Sequence, residues 1–246
     1  MKKILLYSFF SCIINIICYS QIKITSNILF NVFLLQSDTS QGSGFLVQRN
    51  GQEFVVTAKH LFRKNISNGD SVSIIIQDSK HRRRFKSRIY LHYDSTVDVA
   101  VLKLPIKIGQ VTPFQTSGGI DLGQDVYFLG YPNFSNTQFN TFIDSAGFLP
   151  LIKKGIFSGA IKINRYHLFF IDGQNNAGFS GGPVINYDYE SKGMKLFGII
   201  SGYFNENKFI RDKGKIDPEK SFSENSGIMY CYPIDLAIAI IMKNFQ

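Results

Sequence analysis

Asn176-Ala177-Gly178-Phe179-Ser180-Gly181-Gly182-Pro183-Val184 is the segment that decides the fold, because it places one serine among several glycines. A serine in this setting can occupy a tight turn that exposes its hydroxyl, since glycine tolerates backbone angles that other residues resist. The backbone amides of Gly178 and Ser180 can then converge on one point. A nucleophile beside converging N–H donors is what acyl transfer requires, so the segment predicts a hydrolase site.

Two classes of hydrolase share this glycine frame. The pattern Gly178-x-Ser180-x-Gly182 also matches the nucleophile elbow of α/β hydrolases, in which the catalytic histidine follows the serine in the chain. The last histidine here is His167, so no histidine follows Ser180. The chain therefore favours the other order, with histidine first, aspartate second and serine last.

His60 is the candidate general base among four histidines. It ends the run Phe54-Val55-Val56-Thr57-Ala58-Lys59-His60, which indicates a buried strand leading into a turn. Such a strand end holds a base rigidly. His81 lies in a basic run that disfavours an imidazolium, and His92 and His167 lie in strand patterns without catalytic context.

Asp98 is the candidate carboxylate that would orient the base. It stands in Val97-Asp98-Val99-Ala100-Val101-Leu102, where burying a charge without a partner is costly, so a functional explanation is favoured. Asp94, in the polar segment Tyr93-Asp94-Ser95, is the second candidate, and its neighbours indicate a solvated position.

From residue 28 onward, short apolar runs alternate with polar or glycine turns, which is typical of a sandwich or barrel. The first six predicted strands are Ile28–Leu35, Gly44–Gln48, Phe54–Ala58, Val72–Gln77, Phe85–Tyr93 and Val97–Leu104. The second six are Asp125–Leu129, Gly155–Ile163, Leu168–Asp172, Pro183–Tyr187, Lys195–Gly202 and Gly227–Tyr232. The two series predict an all-β fold of two six-stranded antiparallel β-barrels with a short C-terminal helix.

The predicted boundaries follow from these series. We place the first barrel at residues 28–107, the second barrel at residues 119–232 and the helix at residues 234–244. The segment Ile106–Gly119, with Pro113 and paired glycines, is the natural linker between the barrels.

The N-terminus has the features of a signal peptide over residues 1–20. Lys2 and Lys3 precede an apolar run from Ile4 to Cys18, and small residues then indicate a cleavage site ahead of Gln21. A membrane span needs about 20 apolar residues, and this run is shorter, although an uncleaved anchor remains the alternative. We therefore expect an exported protein, periplasmic or secreted, with no membrane span in its mature form. Cleavage leaves Cys231 as the one cysteine, so we expect no internal disulfide.

The chain of 246 residues has a formal net charge of +9, and loss of Lys2 and Lys3, with no acidic residue before Gln21, lowers it to +7. The densest basic run is Lys80–Arg88, which can bind nucleic acid or anionic lipid. The other interpretation is a solvated hairpin tip between the apolar runs on either side. We prefer it and predict no nucleic-acid partner, no cofactor and no metal.

Three segments in order resemble the signature segments of trypsin-like serine peptidases: Thr57–His60, Asp98–Leu102 and Gly178–Pro183. The resemblance is closer to the bacterial HtrA/Deg-related branch, through Gly42–Phe45, Phe128–Pro132, Gly155–Ser158 and Tyr232–Ile234. It spans about residues 28–240, so residues 21–246 are identified as one trypsin-like peptidase domain without a PDZ module.

The resemblance implies a serine endopeptidase that acts on polypeptides through an acyl-enzyme, and the N-terminal features add that it is exported. It assigns Ser180 as nucleophile, His60 as base and then acid, and Asp98 as its orienter, with an oxyanion hole from the amides of Gly178 and Ser180. The substrate-binding residues that it implies are Gln174, Ser201, Gly202 and Tyr203.

Two departures from the family pattern concern the site. Phe179 precedes the serine where the family usually has Asp or Asn, and Lys59 precedes the histidine where a small residue is common. Gln174 lies where the base of the primary pocket is expected, and no acidic residue is found there. The sequence therefore does not predict cleavage after Lys or Arg. The competing hypothesis is an inactive homologue that serves as a peptide-binding module.

Overall fold

The computed structural model describes residues 22–108, 114–116, 119–133, 143–144, 147–212 and 214–245. The predicted signal peptide and much of the predicted linker lie outside these residues. Within the described ranges, no helix has the length and apolar character needed to cross a membrane.

The first six strands form a closed antiparallel barrel in the order β1-β2-β3-β6-β5-β4. Their bounds are β1 Val32–Gln36, β2 Gln41–Arg49, β3 Gln52–Thr57, β4 Ser71–Gln77, β5 Arg82–Leu91 and β6 Ala100–Lys103. Alternate residues of β4 and β5 are buried, as expected for strands with one face toward a core. Phe33, Leu46 and Ile89 are among the side chains that fill this barrel.

Six of the remaining strands form a second sheet that also closes on itself. The longer strands are β8 Asp125–Gly130, β11 Leu151–Ile163, β12 Tyr166–Asp172, β13 Pro183–Asp188, β14 Gly193–Asp212 and β15 Lys215–Pro233. They pair antiparallel in the circuit β13-β8-β11-β12-β15-β14, and β13 pairs with β14 to complete it. The shorter strands are β7 Gln115–Thr116, which pairs parallel with β14, and the pair β9 Ile143–Asp144 and β10 Gly147–Phe148.

Each barrel has its own apolar cluster, and a third cluster lies between the two barrels. It joins Val56 and Val101 of the first barrel to Leu129 and Ile199 of the second. Helix α2, Ile234–Asn244, adds Ile241 to this cluster, and Phe245 beyond it contacts Phe54 and Tyr90 of the first barrel. The all-β fold with a short C-terminal helix is therefore confirmed.

Four predicted strands differ clearly from the structure. Ile28 and Leu29 belong to a short helix, α1 (Ser26–Leu29), so the first strand begins later, at Val32. The last strand of the first barrel covers only Ala100–Lys103, which places Asp98 in the loop before it. The strands predicted as Lys195–Gly202 and Gly227–Tyr232 are parts of β14 and β15, which continue beyond the barrel. We call residues 204–228 the ribbon.

Only the start of the basic run lies at a hairpin tip, and the rest lies along a strand. The turn between β4 and β5 is at Asp78–His81, where Asp78 accepts hydrogen bonds from the amides of Lys80 and His81. The following basic residues lie along β5, and those on its outer face are Arg82, Arg84, Lys86 and Arg88. They are the exposed face of a barrel strand, with Phe85 buried on the opposite face.

Candidate active site

His60 and Asp98 meet because strands β3 and β6 are neighbours. His60 lies in a short 3₁₀ turn, Lys59–Leu61, directly after β3, and Asp98 lies in the loop that enters β6. Thr57 and Ala100 are cross-strand partners, which brings the two loops together. The His60 Nδ1 and Asp98 Oδ2 atoms are 2.6 Å apart, and the His60 amide donates to Asp98 Oδ1 at 2.7 Å. Both carboxylate oxygens therefore hold His60.

The carboxylate of Asp98 also contacts the second barrel. Its side chain is 16% exposed, and Ser201 of β14 donates a hydrogen bond from Oγ to Asp98 Oδ2. The side chain of His60 is 45% exposed, so the imidazole faces solvent while its partner is largely shielded. A shielded carboxylate with three hydrogen bonds is well placed to fix the orientation of an imidazole.

Two tyrosines of the second barrel hold the loop before Asp98. The Thr96 and Tyr166 hydroxyl oxygens are 2.8 Å apart, and the Tyr232 hydroxyl donates to the Thr96 carbonyl at 3.1 Å. Burial raises the pKa of Tyr232, so its hydroxyl keeps the proton that it donates. No role for these tyrosines was predicted from the sequence. The resemblance of the segment Tyr232-Pro233-Ile234 to the family was the one feature of the sequence that pointed to Tyr232.

Asp94, the second candidate carboxylate, belongs to a turn. It accepts hydrogen bonds from the Thr96 amide at 2.9 Å and the Thr96 hydroxyl at 2.6 Å. These hydrogen bonds hold the pKa of Asp94 below its ordinary value. Among the described residues, Asp98 and not Asp94 is the carboxylate bonded to His60.

The Ser180 hydroxyl points to the carbonyl of Ser201. It donates to that carbonyl oxygen at 3.3 Å, and in the described part of the chain it makes no hydrogen bond to His60. Hydrogen bonds between a nucleophile and its base are often long without substrate and tighten in the complex. The structure thus brings His60 and Asp98 together directly, and links Ser180 to them through Ser201.

The backbone around Ser180 alternates between bonded and unbonded amides. Phe179 N donates to the Asn176 carbonyl at 3.2 Å, and Gly181 N donates to the Ile200 carbonyl at 2.8 Å. The amides of Gly178 and Ser180 have no acceptor among the residues that the structure describes. Gly178 is buried and Ser180 is partly buried, and two unpaired amides beside a hydroxyl are the donors that an oxyanion hole requires.

Gly178 is required where it stands. Its φ is +97°, and a Cβ atom there would lie 2.3 Å from the Tyr131 carbonyl oxygen and 2.6 Å from Asn133 N. Asn133 N donates to the Ala177 carbonyl at 2.8 Å. This bond turns the Ala177–Gly178 peptide so that its carbonyl faces Asn133 and its N–H faces the opposite way.

Ser43 connects the first barrel to this loop, a function that the sequence analysis missed. It is fully buried on β2, where its amide donates to the Ser180 carbonyl at 2.8 Å. Its hydroxyl donates to the Gly178 carbonyl at 2.7 Å and accepts from Tyr131 N at 2.9 Å. A polar residue between glycines in an apolar strand was the signal in the sequence.

Phe179 packs into the core of the second barrel. Its side chain is fully buried, and its ring meets Phe128 edge to face at 5.8 Å. Lys153 Nζ lies 5.6 Å from the ring centroid and donates to the Gln174 carbonyl at 2.7 Å and to Asn176 Oδ1. Burial lowers the pKa of Lys153. A partly buried ammonium therefore holds the segment before the nucleophile, and no pattern in the sequence indicated it.

Of the residues predicted to bind substrate, Ser201, Gly202 and Tyr203 lie in the middle of β14, and Gln174 lies in the segment before the nucleophile. Ser201 divides its contacts between Asp98 and Ser180, and Tyr203 is half-buried against the core of the second barrel. A Cβ on Gly202 would lie 2.6 Å from the hydroxyl oxygen of Tyr230, a residue missed from sequence. Gln174 is exposed, and its carbonyl is bound by Lys153. Within the described residues, no His, Cys, Asp and Glu side chains cluster as metal ligands would.

A closed antiparallel barrel, a second circuit of six antiparallel strands and a serine loop at their junction define the chymotrypsin-like class of folds. Residues 42–194 match the family model described as the trypsin-like peptidase domain. The chain belongs to this family, which confirms the resemblance on which the sequence analysis relied. Comparison with curated proteins finds no match.

Solved structures with this fold include bacterial proteases of low sequence identity. The inactive form of the Rv3671c protease is 18% identical, with a TM-score of 0.55 over 89% of this chain and 91% of that one. The active form, from M. tuberculosis, is 16% identical, with a TM-score of 0.57 over 88% and 81%. The HtrA-type protease AlgW, solved with a tripeptide, is 21% identical, with a TM-score of 0.58 over 89% and 61%.

Proposed function

We propose that this protein is a serine endopeptidase that hydrolyses peptide bonds in polypeptides through an acyl-enzyme. Ser180 is the nucleophile, His60 the base, and Asp98 the group that orients His60. The observation that carries the proposal is that both oxygens of Asp98 hold His60, while the amides of Gly178 and Ser180 have no acceptor among the described residues. Membership of a peptidase family gives the substrate class.

The contacts support a specific sequence of proton transfers. Asp98 accepts the Nδ1 proton of His60, which leaves Nε2 free to accept a proton. Rotation of the Ser180 hydroxyl away from the Ser201 carbonyl lets Oγ give its proton to Nε2 and attack the scissile carbonyl. The amides of Gly178 and Ser180 donate to the oxygen that becomes negative. His60 returns the proton to the leaving amine, and a water then hydrolyses the acyl-enzyme by the same steps.

A fluorophosphonate probe tests the proposal, because it reacts with an activated serine. The wild-type protein should become labelled to one probe per chain, and both Ser180→Ala and heat-denatured wild type should stay unlabelled. Casein hydrolysis should fall by several orders of magnitude in Ser180→Ala with the circular dichroism spectrum unchanged. Persistent hydrolysis by the purified variant would refute the assignment.

One observation favours the competing function, a peptide-binding module without turnover: the Ser180 hydroxyl is bonded to Ser201 and not to His60. Under that hypothesis, a folded wild-type protein binds unfolded casein but neither reacts with the probe nor cleaves casein. The same experiment therefore separates the two functions.

Export is a separate part of the proposal. It rests on the basic residues Lys2 and Lys3, the apolar run after them and the small residues ahead of Gln21. The intact mass of protein recovered from the exported fraction should correspond to a chain that begins at Gln21, allowing for cyclisation of that residue. A mass that retains Lys2 and Lys3 would indicate an uncleaved anchor.

A further inference from the structure

One face of the first barrel carries a line of positive side chains that the proposed function does not use. On β5, Arg82, Arg84, Lys86 and Arg88 are exposed on the outer face, because alternate residues of a strand point to the same side. Lys103 of β6 is also exposed and lies directly opposite Arg88. We call these five residues the basic row.

No acidic side chain balances the basic row. Strands β4, β5 and β6 contain no Asp or Glu. Within the described ranges, none of the five residues forms an ion pair. Arg82 donates to Gln36 Oε1 at 3.0 Å, and Lys103 Nζ lies 5.1 Å from the ring centroid of Phe245. The positive charge of the row therefore faces solvent without compensation.

The arrangement of the basic row opposes folding. Arg88 and Lys103 are direct cross-strand partners, and like charges opposite each other destabilise a sheet. Successive members on β5 are about 7 Å apart, which is within the screening length of about 8 Å at physiological ionic strength, so they also repel each other. Local choices that weaken a fold without a compensating contact are expected where side chains serve a partner. That partner must be negatively charged.

The shape of the basic row indicates a chain-like partner. The four members on β5 follow one line of about 20 Å, with a spacing of about 7 Å between neighbours. An extended polypeptide presents alternate side chains on one face at the same spacing. Asp or Glu at alternate positions of such a segment can therefore pair with successive members of the row.

The surroundings of the row favour a polypeptide over a membrane or a nucleic acid. Strands β4 to β6 carry no exposed large apolar side chain that could enter a bilayer, and no exposed aromatic ring on which a base could stack. The outward residues of β4 beside the row are uncharged: Ser71, Ser73, Ile75 and Gln77.

A cleft of about 290 Å³ lies between the row and the turn that joins β1 to β2. Arg84 and Ser73 line it from the β4–β5 side, and Ser37 and Gln41 line it from the turn. Asp38, also in the turn, is the one carboxylate that lines this cleft. An acidic segment is therefore repelled from the turn and attracted to the side of the cleft that carries Arg84.

The same turn contacts the candidate active site on two sides. Ser37 Oγ donates to the carbonyl of Leu61, the residue after His60. Gln41 Nε2 donates to Asn133 Oδ1 at 2.8 Å, and the Asn133 amide holds the Ala177 carbonyl in the nucleophile loop. A polypeptide chain that follows the cleft from the basic row thus arrives beside the candidate active site.

We propose that the basic row is an exosite, a substrate-binding surface outside the active site, for acidic segments of polypeptide in an extended conformation. The inference rests on the proposed function, because the bound segment belongs to the chain that is cleaved at Ser180. Strand β5 is hydrogen-bonded on both edges, so the contacts join side chains and leave the peptide backbone of the segment unpaired. The row therefore selects substrates by charge and spacing.

The first experiment measures binding to three proteins that all carry Ser180→Ala, one of them otherwise unchanged. The row variant has three further changes on the outer face of β5: Arg84→Gln, Lys86→Gln and Arg88→Gln. The control variant loses three cations that are also exposed and that form no ion pair among the described residues: Lys23→Gln, Lys162→Gln and Arg165→Gln. Both variants therefore lose the same net charge.

The probes are fluorescein-labelled peptides of eight residues. One alternates Glu with Thr, so that its carboxylates share one face when it is extended. A second has the same composition in Glu-Glu-Thr-Thr blocks. Fluorescence anisotropy at low salt should show that the otherwise unchanged protein binds the alternating peptide at least about fivefold more tightly than the block peptide. Equal affinities for the two peptides would overturn the inference.

The row variant should lose at least about tenfold in affinity for the alternating peptide, and the control variant less than about twofold. Similar losses in the two variants would contradict the proposal. Tighter binding of phosphatidylglycerol vesicles or single-stranded DNA than of the peptide, abolished in the row variant, would also overturn it by assigning the row to another partner. In urea at low salt, the row variant should be at least as stable as the control, and a lower stability would show that the row serves the fold.

The second experiment links the row to turnover. Casein peptides that contain a bond cleaved by the wild type are extended at either end with alternating Glu-Thr or with neutral Gln-Thr. An acidic extension at one end should raise kcat/KM at least about fivefold over the neutral one, mainly through KM, because an exosite binds the ground state and the transition state alike. In the active chain, the three changes on β5 should abolish this ratio.

Failure of the proposed function has a different signature. If the wild type neither reacts with fluorophosphonate nor cleaves casein, the peptidase assignment fails, and the anisotropy measurements alone decide whether the row binds acidic segments. Cleavage of casein peptides without any preference for the acidic extension would refute the exosite and leave the peptidase assignment intact.

Discussion

Among single residues, Asp98 and Asp94 give the sharpest comparison. We expect Asp98→Asn to lower kcat by about 10⁴, as loss of the orienting carboxylate does in other triads, because the amide no longer accepts at both His60 contacts. Asp94→Asn affects only the turn at Thr96 and should change kcat little. Steady-state hydrolysis of one peptide by both variants makes the comparison, and equal losses would mean that the wrong carboxylate is assigned.

Lys153 gives a second prediction at this scale. Lys153→Met removes the hydrogen bonds to the Gln174 carbonyl and Asn176 Oδ1, and should loosen the segment that carries the Gly178 amide. Because oxyanion donors act mainly on the transition state, we expect kcat to fall at least about tenfold while KM changes little. Lys154→Met is the matched control, since that neighbour forms a surface ion pair with Asp125. A similar loss in both variants would contradict this role of Lys153.

The charge of Lys153 also predicts a pH dependence. Burial lowers the pKa of Lys153, so its ammonium is present at low and neutral pH and is lost at a lower alkaline pH than in an ordinary lysine. The groups that face it, Gln174, Asn176 and Phe179, do not titrate. We expect the wild type to lose kcat on the alkaline side, and Lys153→Arg to retain kcat to higher pH because guanidinium stays charged. Identical alkaline limbs would refute the prediction.

The candidate catalytic residues could be predicted from the sequence, whereas the residues that position them could not. His60, Asp98 and Ser180 stand in short motifs whose residue types are unusual for their surroundings. Ser43, Tyr232 and Lys153 contact the site through the fold, across a separation in sequence that no local pattern reveals. Phe179 was visible as a departure, but its packing against Phe128 depends on the closure of the second barrel.

Among the elements, alternation of apolar residues predicted the barrel strands well and the ribbon not at all. Strands such as Val72–Gln77 were found because one face is buried, and the structure has Ser71–Gln77. The ribbon has no core to cover, so its apolar residues do not alternate regularly with polar ones, and Gly214 and Pro218 indicate loops. Cross-strand hydrogen bonds and the ion pair of Lys208 with Glu224 hold it instead.

Cys231 on β15 makes the closure of the second barrel measurable. Burial raises the pKa of its thiol, so it stays protonated and unreactive in the folded protein. In a chain with Cys12→Ser and Cys18→Ser, we expect no reaction with a disulfide reagent at pH 8 until guanidinium unfolds the protein. Fast reaction of the native protein would show that the pairing of β12 with β15 opens readily.

For the whole molecule, Ser43 determines how the two barrels are joined at the site. Ser43→Ala leaves the buried Gly178 carbonyl and Tyr131 amide without their partner, which should cost about 1–3 kcal/mol of unfolding free energy. It should also lower kcat, because the Gly178 peptide loses a hydrogen bond that positions it. Ser40→Ala, at an exposed position nearby, is the control. Urea titration and peptide hydrolysis measure both effects, and a variant as stable and active as this control would contradict the role of Ser43.

The candidate site is divided between the two barrels, which affects when a newly made chain can become active. The first barrel supplies His60, Asp98 and Ser43, and the second supplies Ser180 and Ser201, so neither barrel alone holds a working nucleophile. Under the proposed function, a molecule whose barrels have closed but have not yet docked cannot cleave the unfolded chains near it. If the proposed function holds, proteolysis begins only after the two barrels have docked, and newly made chains are shielded during the interval when they are most easily digested.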